Sequence, residues 1–216
     1  MALAIKSIET PSDVPQSPKR LAIIDAAAKL FLSQGYGPVS VDAIAAEAKV
    51  SKRTVYSHFE NKESLFAGVM YGACERGGGQ EICPLSNEDL VRYMPMEDIL
   101  QKTGEQVLGI ITSSDAIDIF RVAVGEAGRF PELGQNFFQF GPASILKMLE
   151  TFFTEKAESG ELSIENPAQA ANYFIALMVF PIQMKLALGV RDSVPEKELQ
   201  QIVADALKAF LKIYTP

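Results

Sequence analysis

Eleven donor-bearing side chains crowd one short span of this 216-residue chain, "KVSKRTVYSHFENKESLF" from Lys49 to Phe66, among them Lys52, Arg53, Thr54, Tyr56, Ser57, His58 and Lys62. Ammonium, guanidinium, hydroxyl and imidazole groups held this close together suit acceptors such as phosphate oxygens and base edges. Catalytic chemistry finds little support. His58 is the only histidine, and no set of Cys or carboxylate partners accompanies it. Cys74 and Cys83 make neither a disulfide framework nor a four-ligand zinc site, and are expected as reduced thiols. The chain has no glycine loop leading to Lys-Ser/Thr and no nucleophile elbow. No catalytic residue, no metal site and no cofactor is expected, and the chain is not read as an enzyme.

Charge points the same way once it is divided. The whole chain is acidic, at net −7. Residues 1–64 carry eight basic and seven acidic side chains, whereas residues 65–216 carry twelve and twenty. From Lys49 to Lys62 there are four cations and only Glu60 against them. A local patch of this kind can grip phosphate while the acidic remainder discourages unproductive binding.

The elements that must hold these groups read as helices throughout. Ser17-Pro18 starts a first helix with a hydroxyl cap and an N1 proline, and Gly35 ends it. Ser40 caps a short second helix, Ser51 a third over 51–58, and Asn61 a fourth that runs to the glycines at 77–79. Val50, Val55 and Phe59 are expected in the core between the helices. Residues 77–94 show no period and form the expected boundary between a head and a body. Further helices are expected over 95–112, 115–128, 131–158, 167–189 and 195–213, with Ser193 and Glu196 at capping-box spacing before the last. Strand alternation is absent, so the fold class is all-α. The window Ala171–Val190 approaches the length of a membrane span, but Asn172, Gln183, Lys185 and Pro181 interrupt it. It is read as a helix buried on most faces, and no membrane partner is expected. The first twenty residues lack an apolar h-region and a cleavage site, which suits a mobile arm over 1–16 in a cytoplasmic protein.

Two short helices joined by a tight turn, the second opening on a hydroxyl and cations, describe a helix-turn-helix over 40–59. The stretch "AIIDAAAKLFLSQGYGPVSVDAIAAEAKVSKRTVYSHFENKESLFAGV", Ala22 to Val69, resembles the N-terminal DNA-binding domain of the TetR family of transcriptional regulators. The likeness rests on the "AAxxLFxxxGY" first helix, "SVxxIAxEAxVSKxTVYxHF" and "NKESLF". "FRVAVGEAGRFPELGQNFF" and "GELSIENPAQAANYF" resemble the body of the AcrR/AefR-like branch. The resemblance implies a DNA-binding domain over 17–64 and a ligand-binding and dimerisation domain over 65–216. It makes 51–58 the recognition helix, with Lys52 and Arg53 donating to guanine or phosphate and Thr54 meeting a thymine methyl or a phosphate. Ser40, Tyr56, Ser57 and His58 then serve the DNA backbone, and Lys62 joins its charge to the free N–H groups of its helix start. Two positions depart from the family pattern. Lys49 stands where glycine is frequent, at a cost of about 1 kcal/mol for left-handed backbone. Asp42 stands where a cation is frequent; it forgoes a phosphate contact but can accept from cytosine N4.

For the body, the resemblance implies a small-molecule effector pocket. Ten of the thirteen Phe lie beyond residue 66. Phe120, Phe137, Phe138, Met148, Phe152, Tyr173 and Met178 are the candidate lining, with Arg121, Glu126 and Gln183 as polar candidates. The helices over 167–189 and 195–213 are the expected homodimer interface, the first being apolar on more of its circumference than one core contact needs. The reading is a homodimeric repressor of a near-palindromic double-stranded DNA operator, released by a small apolar or amphipathic ligand. The rival is an all-α carrier or protein-interaction module without DNA binding.

Overall fold

The structure, a computed structural model, describes residues 17–79 and 83–216. The expected arm over 1–16 lies outside the described residues. Within them every regular element is helical.

The first four helices start where the caps are. Helix α1 (Pro18–Gln34) follows Ser17, whose side chain accepts from Arg20 N–H. Helix α2 (Val41–Glu47) follows Ser40, which accepts from Ala43 N–H, and α3 (Lys52–His58) follows Ser51, which accepts from Thr54 N–H. Helix α4 (Lys62–Cys74) opens on a reciprocal capping box between Asn61 and Ser64. Each cap contributes about 1 kcal/mol by satisfying an N–H that the helix itself leaves free. Helix α4 then loosens into a π-helical turn at Glu75–Gly79. A 3-10 turn at Pro84–Ser86 and a short helix, α5 (Glu88–Tyr93), occupy what the sequence presents as irregular. Six residues are too few to display a 3.6-residue period.

Helices α6 (Met96–Ile111) and α7 (Ser114–Glu126) come next. The single helix expected over 131–158 is two: α8 (Pro131–Phe140) and α9 (Pro142–Glu158). Pro142 has no N–H and bars helical backbone at the preceding residue, so Gly141 takes φ −111° and ψ −95° and breaks the run. Helices α10 (Pro167–Ala187) and α11 (Glu196–Tyr214) close the chain. The capping box expected from Ser193 and Glu196 does not form. Pro195 itself occupies the N-cap position of α11 and makes no side-chain cap, which leaves Ser193 outside the motif.

Two apolar clusters organise these helices. The first joins Ile23, Ala27 and Phe31 of α1 with Ile44, Val55, Phe59 and the α4 residues Leu65, Phe66 and Val69; it reaches Ile119 and Ala123 of α7 and Leu133 of α8. Val55 and Phe59 are buried as expected, and Val50 is partly buried against them. The second cluster sits among α6, α9, α10 and α11, around Phe153, Phe174 and Phe210. The ring centroids of Phe153 and Phe210 lie 4.9 Å apart.

Helix α10 departs from the expectation that it is buried on most faces. It is long and apolar enough to cross a membrane by length and composition, and only 33% of its most apolar window is buried. Ala170, Phe174, Met178, Ile182 and Leu186 face the second cluster. Tyr173, Leu177, Phe180, Met184 and Leu188 form an exposed stripe at three- and four-residue spacing. Pro181 lies within the helix, so no N–H reaches back from it to the Leu177 carbonyl.

Candidate nucleic-acid interface

The turn before α3 fixes how that helix is presented. Helix α2 ends in a Schellman arrangement, with Val50 N–H donating to the Ala45 carbonyl at 2.9 Å and Lys49 N–H to that of Ala46 at 3.1 Å. The motif requires left-handed backbone at Lys49, which has φ 55°, the one positive value outside glycine among the described residues. Lysine therefore holds the position the sequence marks as costly, and its ammonium stands beside the turn.

Helix α3 buries only Val55, which ties it to the first cluster. Its remaining six residues all carry polar groups. Lys52 Nζ donates to Asp42 Oδ2 at 2.9 Å, and this bond, followed by the charge of Asp42, raises the Lys52 pKa. Arg53 is exposed and makes no ion pair among the described residues. The Thr54 hydroxyl lies 2.8 Å from Ser51 Oγ, and Ser57 Oγ donates to the Thr54 carbonyl at 2.7 Å. Tyr56 is 48% exposed and His58 half-buried. Ser40 spends its acceptor on the α2 cap, which leaves its hydroxyl proton for an outside acceptor. Ser40, Lys52, Arg53, Thr54, Tyr56, Ser57 and His58 thus belong to two helix starts and one short helix, with Arg53 and Tyr56 the least engaged.

Lys62 is placed differently from the expectation of a phosphate donor. Its ammonium turns inward, donating to the Tyr36 carbonyl and, at 3.3 Å, to that of Gly37, and lies 4.1 Å from the centre of the Tyr36 ring. Burial lowers its pKa, against the opposing pull of Glu63 and Glu126. The lysine pins the α1–α2 turn to the start of α4.

A residue absent from the sequence reading does as much for α3. Arg20 is 5% exposed, donates from Nη1 to the His58 carbonyl at 2.7 Å, and lies 4.2 Å above the centre of the Phe59 ring. It caps the last turn of α3, where a cation meets free carbonyls and the negative end of the helix dipole. The signal was available: Arg20, Ile24, Ala27 and Phe31 share one stripe of α1, and a cation on an apolar stripe must find a partner.

The head meets the body beside Lys62. Phe130 packs edge-on against Tyr36 at 5.2 Å, and Tyr36 Oη donates to Glu63 Oε1 at 3.2 Å. Desolvation, with the charge of Glu63, pushes the Tyr36 phenol well above its ordinary pKa. Glu126 Oε2 is buried there without a hydrogen-bond partner. A Cβ on Gly35 would come within 2.9 Å of Glu126 Oε1, and one on Gly37 within 3.2 Å of the Phe130 ring.

The seven effector candidates do not converge on one cavity. Phe152 and Met178 are buried in the second cluster. Phe120 and Phe137 pair at 5.9 Å, Met148 is half-buried, and Phe138 and Tyr173 are exposed. Two surface grooves, of about 520 Å³ along α11 and about 510 Å³ between α6 and the start of α11, include none of the seven in their linings. Spacing shows which face of a helix an aromatic occupies, but not whether neighbouring helices close over it. Of the polar candidates, Arg121 caps the end of α10, donating to the carbonyls of Leu186 at 2.7 Å and Ala187 at 2.9 Å. Glu126 belongs to the head–body joint, and Gln183 is half-buried. Burial raises the pKa of both Cys74 and Cys83, which keeps them as thiols rather than reactive thiolates.

Comparison with known proteins adds an independent line. Residues 23–69 match the family described as bacterial regulatory proteins, tetR family, and residues 98–216 match the AefR-like transcriptional repressor C-terminal domain. The solved structure of the flavonoid-responsive regulator FrrA is 32% identical, with a TM-score of 0.74 over 92% of this chain and 97% of that one. A TetR-family transcriptional regulator from Mesorhizobium loti has the same TM-score and coverage at 25% identity. YvkB of Bacillus subtilis, named as an HTH-type transcriptional regulator, is 25% identical over 84% of this chain and 91% of its own.

Proposed function

The chain belongs to the TetR family of bacterial transcriptional regulators, in its AefR-like branch, and from that premise we propose that it is a homodimeric repressor that leaves its operator when a small apolar or amphipathic molecule binds the body. It is a DNA-binding regulator, and the family consists of regulators rather than enzymes. The observation that carries the residue-level reading is the polar, uncovered face of α3, where Arg53 and Tyr56 stand free for DNA.

In this reading α3 enters the major groove by its N-terminal end, with Arg53 reading base edges, and Tyr56, His58, Ser57, Thr54 and Ser40 fixing the register on phosphates. Lys62 acts from within by holding the α1–α2 turn. The head spans 17–64 and the body 65–216, with α4 passing from one into the other. Two copies pair through the exposed stripe of α10, and α11 flanks it with a mostly charged outer face. Two-fold pairing puts two recognition helices on successive major grooves of a near-palindrome. FrrA answers to flavonoids by its name, so planar polyphenols are the first effectors to try. An effector releases DNA only if it binds the non-operator arrangement more tightly, and the Tyr36–Phe130 contact is the route by which the body moves the head. The protein acts in the cytoplasm, where operator DNA lies.

Selection of bound sequences from random duplex DNA tests this, with a Lys52→Ala/Arg53→Ala/Tyr56→Ala variant alongside. Enrichment of one inverted repeat by the wild type but not by the variant is expected. Equal enrichment by both would move the reading surface away from α3, and no enrichment by ligand-free wild type would end the repressor reading.

A further inference from the structure

We infer that Asp42 sets how strongly this protein discriminates its operator from other DNA, by occupying Lys52 of the recognition helix whenever the sequence is wrong. The inference rests on the DNA-binding reading above and concerns a pair that the family pattern does not supply.

Asp42 lies in the first turn of α2, and Lys52 is the first residue of α3. Their side chains are 66% and 51% exposed, and they meet at 2.9 Å. The other acidic group of α2, Glu47, is engaged by Lys29 of α1. Asp42 is therefore the carboxylate of α2 that bonds to the recognition helix. It is stable where it stands even without the lysine, because the start of a helix favours negative charge.

Sequence-independent DNA binding scales with the number of cations that replace condensed counterions on phosphate. An ammonium already paired with a carboxylate adds almost nothing to that number. The pair nonetheless opens readily, since exposed ion pairs of this kind are weak. Opening is favourable only where the DNA serves both ends: an acceptor for Lys52, such as guanine O6/N7 or a phosphate, and a donor for Asp42, such as cytosine N4. On a wrong sequence Lys52 stays with Asp42, its ammonium is withheld from the phosphates, and affinity for bulk DNA stays low.

The test uses the full-length protein and a labelled duplex of scrambled sequence, followed by fluorescence anisotropy across a salt series. Asp42→Asn should bind this duplex roughly 3- to 10-fold tighter at fixed salt, and log K against log salt should steepen by about one unit per head as Lys52 joins the phosphate contacts. In a Lys52→Gln background the same Asp42→Asn change should bring no gain, and the slope should not steepen. Both positions are exposed, so unchanged thermal melting of the variants checks that the fold is intact. A gain that persists in the Lys52→Gln background would mean that Asp42 merely repels phosphate through space, and would overturn the inference. The absence of any gain would overturn it equally. A wild type that binds no duplex even at low salt would sink the DNA-binding reading itself, an outcome distinct from either.

Discussion

Helices α3 and α10 are both largely uncovered in the single chain, and what each uncovers is opposite. Helix α3 leaves six polar side chains outside and buries Val55 alone. Helix α10 leaves out Tyr173, Leu177, Phe180, Met184 and Leu188, of which Phe180 is 65% and Leu188 70% exposed. A polar face costs nothing in water, so the head can stand free of its partner indefinitely. An apolar stripe of this length forgoes several kcal/mol of burial for as long as it stays wet. The comparison separates a conditional contact from a permanent one: DNA can come and go, but the second protomer should not.

Breaking the permanent contact should give the largest effect. Phe180→Glu places a carboxylate in the middle of the stripe proposed to pair, and should raise the dimer dissociation constant by about three orders of magnitude, about 4 kcal/mol. Sedimentation would then show a folded monomer, and cooperative operator binding would vanish with the dimer. A variant that remains dimeric would place the interface on another face.

The next effect sharpens the other side of the comparison, because α3 is held from behind rather than from its exposed face. Arg20→Ala removes both the cap on the His58 carbonyl and the stack on Phe59. A loss of about 2–3 kcal/mol is expected, lowering the melting temperature by roughly 4–12 °C for a chain of this size. Arg20→Lys should restore only part of it, since a lysine keeps the charge but not the planar fork. A melting temperature within about 1 °C of wild type for Arg20→Ala would show that the cap is idle, since even the weakest hydrogen bond to a charged group should move it further.

The smallest effect lies at the turn between α2 and α3. Lys49→Gly relieves the left-handed backbone and should stabilise the fold by up to about 1 kcal/mol, read from denaturant midpoints. It should slightly weaken DNA binding by deleting one cation. Unchanged or lower stability would mean that the lysine stem packs usefully enough to offset its strain.

These differences track what a sequence can express. Caps act over three residues, so Ser17, Ser40, Ser51 and Asn61 announce four helix starts without any tertiary knowledge. The strain at Lys49 is legible for the same reason. The break at Gly141-Pro142 was written in the Gly-Pro pair itself but masked by apolar spacing that continues across it, and α5 was hidden because it is shorter than two turns. At the candidate site, the donors of α3 could be named from the sequence, but not the partners they keep. That Lys62 turns toward Tyr36 and Lys52 toward Asp42 depends on where another part of the chain, a turn in one case and a helix in the other, comes to lie. The effector candidates diverged for a related reason: core aromatics and pocket aromatics have the same spacing, and only helix packing separates them.

The joint where Gly35 and Gly37 meet Glu126 and Phe130 has a mechanical meaning. Two positions without side chains let the body bear directly on the turn that carries the head: a Cβ on Gly37 would press on the Phe130 ring at 3.2 Å, and Gly35 holds a left-handed φ of 81° that a side chain would strain. A linkage without slack transmits small displacements undiminished, and it also has no tolerance for wear. Over evolutionary drift, such a regulator is easier to jam than to detune: a methyl group at position 37 would crowd the Phe130 ring and shift head against body while leaving the DNA-facing side chains and the exposed stripe of α10 untouched.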